Sequence, residues 1–111
     1  MQLVQIGNDH LKASFLSYGA RIVDIRMAEN DLPLILGFPD SMDYLNDTAY
    51  LGAIVGRVAN RIAFGKAKIG SHFFEFDKNE NAIQTLHGGA KSCAVQNWQI
   101  EQNDNMSVTF P

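Results

Sequence analysis

With 111 residues, 46% of them hydrophobic and 19% charged, the chain has the length and composition of one folded domain, spanning residues 1–111, and not of a disordered segment. Its net charge of −3 and the scatter of its nine basic residues exclude the concentrated cationic surface that nucleic acid or an anionic membrane would need. No stretch approaches the ~20 consecutive apolar residues of a bilayer span.

The elements are short strands between turn signals. Residues 11–17 and 21–27 predict two strands joined at Tyr18-Gly19. In the second, Arg21, Val23, Ile25 and Met27 share one face, and Asp24 and Arg26 the other. Glu29-Asn30-Asp31 is a polar turn, residues 34–36 form a brief apolar strand ending at Gly37, and Ser41 is placed to cap one helical turn through Leu45. Residues 66–69, the pair Gly70-Ser71 and residues 72–76 read as a hairpin. Residues 98–101 and 106–110, joined through 103–105, read as another, with Val108 and Phe110 on one side. No window carries a sustained 3.6-residue apolar period, so the expected fold class is all-β. The last strand runs out at Phe110-Pro111 and would keep an unpaired edge; either it is a natural edge strand or the chain is a piece of something longer.

Several chemistries are set aside by spacing. Gly52 and Gly56 are wrongly spaced for a phosphate loop and are followed by Arg57, and no Gly-x-Gly-x-x-Gly occurs. The three histidines, His10, His72 and His87, fall far apart, and Cys93 is the sole cysteine, so no metal site and no cofactor are indicated. A single thiol forms no internal disulfide, and with no basic, apolar leader at the N-terminus the expectation is a cytoplasmic protein. Cys93 is expected to be buried or idle, and His10 and His72 to sit in surface turns.

The polar stretch 52–89 is different. His87 is followed directly by Gly88-Gly89, and glycine lets a backbone turn sharply or approach a ligand closely. A ligand role and a satisfied turn histidine both fit those residues. Arg57, Asn60 and Arg61 crowd one short segment. On a strand the two arginines would share a face, with Asn60 opposite. They would form either a solvated edge of weak ion pairs or a donor-rich grip on hydroxyl groups.

Taken together, these residues resemble the aldose 1-epimerase (galactose mutarotase) family, over nearly the whole chain. Leu16-Ser17-Tyr18-Gly19-Ala20-Arg21-Ile22 is similar to its N-terminal Tyr-Gly-Ala turn, and Leu36-Gly37-Phe38 with Asp43-Tyr44-Leu45 to its next block. Gly56-Arg57-Val58-Ala59-Asn60-Arg61-Ile62 resembles its Gly-Arg-x-Ala-Asn-Arg-Ile signature, and Leu86-His87-Gly88-Gly89 its histidine turn. The resemblance implies an antiparallel β-sandwich of the galactose mutarotase-like type, present here as its N-terminal portion and therefore incomplete. It implies a small-molecule hexose such as galactose or glucose as partner, with Asn60, Arg61 and His87 as substrate-binding residues. It also implies interconversion of α and β anomers, in which a glutamate takes the anomeric proton and a second histidine protonates the ring oxygen. No residue here matches that pair, so no catalytic residue is assigned within this chain, and the 111 residues are expected to be inactive alone. Ala82-Ile83-Gln84 and Ser92-Cys93 depart from the family pattern on either side of His87. A non-catalytic carbohydrate-binding β domain is the alternative reading.

Overall fold

The computed structural model describes residues 1–102 and 104–111. Three antiparallel strands begin the chain in consecutive order: β1 (Leu3–Gly7), β2 (Leu11–Leu16) and β3 (Arg21–Met27). Strands β2 and β3 are those expected, whereas the sequence reading contained no counterpart of β1. That strand is laid down by the Asn8 side chain, which accepts the backbone N–H groups of His10 and Leu11 and turns the chain back. Register shifts between Ser14 and Phe15, so Ser14 faces Asp24 but Phe15 faces Ile22. Such a bulge bends a strand and re-aims its side chains. Arg21 accordingly goes into the interior with only 1% of its surface exposed.

The hairpin of β5 (Lys66–Ile69) and β6 (His72–Glu75) matches its prediction, in the register Lys66↔Glu75 to Ile69↔His72. Its turn needs a left-handed residue, and Gly70 supplies it at φ 61°. Flanking this hairpin in the chain, β4 (Arg61–Ile62) and β7 (Thr85–Leu86) pair in a two-residue ladder.

Three expectations are corrected. Residues 34–36 form no strand; the Leu34 N–H donates to Ile25 O, but Pro33 beside it has no N–H to extend a ladder. The turn at 41–45 is present as a 3-10 turn over Ser41–Asn46, yet Asp40 and not Ser41 caps it, through its carboxylate and the Met42 N–H. The second hairpin shrinks to one bridge, Glu101↔Thr109, closed by backbone bonds of 2.9 and 2.8 Å. Its turn at 103–105 includes Asn103, outside the described residues. Val108 and Phe110 are both half-buried, and the Phe110 ring lies 6.3 Å from that of Phe15.

The architecture is all-β and antiparallel, as expected, and it is an incomplete sandwich. The Cα radius of gyration is 16.6 Å, against about 13 Å for a compact chain of this length. Among the described residues the buried apolar side chains are Leu16, Ala20, Tyr44 and Ala94, while Phe64, Phe73, Leu32 and Leu36 are more than half exposed. The largest fully buried side chain carries a charge. Arg21 Nη1 meets Asp47 Oδ2 at 2.5 Å with both side chains 1% exposed, and it also donates to Leu51 O at 3.0 Å. The rings of Tyr18 and Tyr44 flank the guanidinium at 5.5 and 5.4 Å, a geometry that favours a desolvated cation. Burial pushes the Asp47 carboxyl up. The hydrogen bond from Arg21, the N–H groups of Ala49 and Leu51 and the guanidinium charge outweigh it, so the group stays below the usual carboxylate range.

Candidate functional site

The short β4–β7 ladder decides where the polar residues of the 52–89 stretch meet. Its register sets Arg61 opposite Leu86, so Asn60, just before β4, lies beside His87, just after β7. The two residues clasp each other. The His87 N–H donates to Asn60 O at 3.0 Å, and the Asn60 N–H donates to His87 Nδ1 at 2.9 Å. Both sit at positive φ, 66° and 51°, a region non-glycine residues occupy only when their surroundings hold them there. Gly88 follows at φ 92°, and a Cβ there would lie 2.1 Å from Gly56 O. That glycine is required by contact as well as by dihedral angle.

The clasp fixes the chemistry His87 presents. Its Nδ1 accepts a hydrogen bond, so in the neutral ring the proton is on Nε2, which has no partner among the described residues. The ring of Tyr50 packs edge-on against His87 at 4.8 Å between centroids. Asn79 supports the same corner: its side chain accepts the Leu86 N–H at 2.7 Å and returns a bond to Leu86 O at 3.0 Å. In this way it serves β7 as a substitute strand partner. Asp77 holds the far end of the glycine turn through the Ala90 N–H, and its own backbone carbonyl accepts from Thr85 Oγ1.

Arg61 is held by Glu80. Its Nε and Nη2 meet the two carboxylate oxygens at 2.6 Å each, and Nη1 reaches Asn60 Oδ1 at 3.3 Å. Gln84 donates to the same carboxylate. The bonds from Arg61 first, then from Gln84, keep Glu80 below the usual glutamate range, and the carboxylate in turn raises Arg61 above the usual guanidinium value. An ionised carboxylate with its lone pairs so engaged is a poor proton acceptor.

The structure therefore brings Asn60, Arg61 and His87 together, as the sequence reading required. It does not keep the strand geometry assumed for them. Residues 57–60 lie outside the ladder, and left-handed Asn60 turns its side-chain oxygen onto the Arg61 guanidinium instead of to an opposite face. Among the described residues Arg57 makes no side-chain bond to Asn60, Arg61 or His87, although its backbone nitrogen packs against Gly88. It lines a cavity of about 380 Å³ bounded by Ile62, Phe76, Thr85, Cys93 and Trp98. Asn60, Arg61 and His87 do not line that cavity, whose wall also includes Lys91 and Gln96. Half-buried Cys93 belongs to that wall, while His10 and His72 are exposed, His72 as the first residue of β6. Glu80, Asn79 and Tyr50 were not singled out by sequence reasoning for this site. Glu80 is 19 residues from Arg61 and lies in the loop that departs from the family pattern, where spacing carries no signal. Among the described residues no group of three His, Cys, Asp or Glu side chains is placed to hold a metal, and no helix is long and apolar enough to cross a membrane.

The polar cluster sits at a glycine turn of an incomplete antiparallel β scaffold, and comparison with known proteins gives that scaffold its family. A family model described as aldose 1-epimerase matches residues 2–110. The chain belongs to the aldose 1-epimerase family. It is 36% identical over 118 residues to a probable aldose 1-epimerase of Arthroderma benhamiae, covering 99% of this chain and 27% of that protein. It is 35% identical over 88 residues to the galactose mutarotase of Mus musculus, covering 77% of this chain and 25% of that protein. Its fold matches the GalM/aldose epimerase homologue from C. elegans with a TM-score of 0.86 and 26% identity, over 98% of this chain and 34% of that one. The galactose mutarotase-like architecture is thereby established, and the chain spans about a quarter of the length of these two curated relatives.

Proposed function

We propose that residues 1–111 are the N-terminal part of a single mutarotase-like domain and form the sugar-holding side of an aldose 1-epimerase site. The substrate is a hexose such as galactose or glucose, held by Asn60, Arg61 and His87. The observation that carries this reading is the Asn60–His87 clasp beside Arg61. It leaves the His87 Nε2–H, the Asn60 amide donors and part of the guanidinium directed to no acceptor among the described residues. Convergent, unspent donors on a rigid turn suit the hydroxyl oxygens of a polyol.

The same geometry supports binding without turnover in this chain. Anomer exchange needs one group to take the anomeric proton and another to give a proton to the ring oxygen. Glu80 is committed to Arg61 and Gln84, and His87 Nδ1 is committed to Asn60. Two experiments test the reading. In ¹H–¹⁵N spectra, millimolar galactose or glucose is expected to shift Asn60, Arg61 and His87, and silence at all three would refute it. In polarimetry, freshly dissolved α-galactose is expected to mutarotate at its uncatalysed rate. A clear acceleration abolished by Arg61→Ala would show that the chain is a catalyst by itself.

A further inference from the structure

Arg61 carries five N–H groups in one plane. Glu80 takes those of Nε and Nη2, and Asn60 Oδ1 takes one from Nη1. One N–H on each terminal nitrogen is left without an acceptor among the described residues. Glu80 is the less mobile partner. Gln84 donates to its carboxylate, and the backbones of Glu80 and Gln84 bond both ways, at 3.1 and 3.3 Å. Its side chain is 19% exposed, against 50% for Arg61. The doubly held carboxylate is the anchor, and the long, exposed arginine is what it orients.

Resting on the hexose reading above, we propose that Glu80 is the positioning and specificity-determining residue of this site. It holds the Arg61 guanidinium against Asn60 and cancels its charge, so the remaining N–H groups receive neutral hydroxyl oxygens and not the phosphate or carboxylate of an acidic sugar. An unpaired guanidinium binds oxyanions bidentately and in preference to alcohols. With a carboxylate already on its fork, a second anion would lose that geometry and stand close to a like charge.

The test uses the full 111-residue chain and its Glu80→Gln variant, read by ¹H–¹⁵N spectra that include the arginine Nε–H signals. In the unaltered chain the Arg61 Nε–H is expected to exchange slowly and to lie away from the free-arginine position. Galactose should move Arg61 and His87, and glucose 6-phosphate should not. In Glu80→Gln the Arg61 Nε–H should collapse to the free position. Galactose should bind about tenfold more weakly and glucose 6-phosphate about tenfold more tightly, the scale of one charge-assisted hydrogen bond. The Leu86 amide, held by Asn79, should stay in place as the sign of an intact fold. An unmoved Arg61 Nε–H, or a weakened galactose response with no gain for glucose 6-phosphate, would overturn the proposal. Should Glu80→Gln fail to fold, Glu80→Asp keeps the charge without the reach. It should release the Arg61 Nε–H yet still reject glucose 6-phosphate, and acceptance of that sugar would overturn the proposal. If galactose shifts nothing in the unaltered chain, the hexose reading falls and the specificity role with it. If galactose binds but Arg61 ignores Glu80→Gln, only the role of Glu80 falls.

Discussion

Asp47→Ala is expected to be the most damaging single change outside the glycines, because it strands a buried cation. Arg21 and Asp47 are each 1% exposed, and the carboxylate also caps the N–H groups of Ala49 and Leu51. Arg21 Nε already has no hydrogen-bond partner among the described residues, so no spare acceptor stands ready to replace Asp47. Removing one member of a buried pair costs about 3–5 kcal/mol, mostly the desolvation of the charge left behind. A folded chain has only about 5–15 kcal/mol in total, so the loss takes a large share of it and, at the low end of that range, brings the variant to its unfolding midpoint. Removing both charges, as in Arg21→Met with Asp47→Ala, should recover at least half of that loss, since Met refills the stem's volume and no charge is stranded. Urea titration followed by fluorescence of Trp98, whose indole N–H donates to Cys93 O at 3.0 Å, reads both. A loss below about 1 kcal/mol for Asp47→Ala, or a double variant as unstable as the single one, would refute this account of the core.

Acid should act on the same pair with a definite sign. The folded Asp47 carboxyl lies below its ordinary value, so its contribution is complete above about pH 4 and is lost as pH falls through the depressed value; Trp98-monitored acid unfolding should lose this component in Arg21→Met. Gly88→Ala places a Cβ 2.1 Å from Gly56 O at a left-handed φ and should cost at least ~1–3 kcal/mol, with loss of the His87 shifts induced by galactose. Asn79→Ala removes both bonds to Leu86 and should cost about 1–2 kcal/mol, with faster hydrogen exchange at the Leu86 amide as its local signature. Phe73→Ser should be nearly neutral in urea midpoint, within about 0.5 kcal/mol, because that ring is 78% exposed.

How far the sequence could be read depended on distance along the chain. The 66–76 hairpin was legible because its two-residue turn specifies its register locally, and β2 and β3 because period-2 alternation needs no knowledge of the partner. Residues 34–36 misled because three apolar residues satisfy that pattern without any strand to pair with. The second hairpin failed similarly: its alternation is real, yet only Glu101 and Thr109 find each other. In the site, Asn60, Arg61 and His87 were legible as a motif, whereas the facing that a strand would give Arg57 to Arg61 is not the one they adopt. The left-handed Asn60 that breaks the alternation leaves no mark in composition.

What the sequence by itself determined is the all-β character, the family and the three residues that meet beside the β4–β7 ladder, since each rests on local pattern or contiguous motif. Tertiary structure alone decided which charges answer one another. Arg21 reads on paper as one more residue of an alternating strand, and only the bulge at Ser14/Phe15 and the arrival of Asp47, 26 positions later, make it the centre of the core. Glu80 reads as one carboxylate among several, and only the turn closed by Gln84 sets it on the Arg61 fork. Backbone preference is a property of neighbouring residues. The pairing of charges depends on where chain closure delivers them, and that is specified by the whole fold.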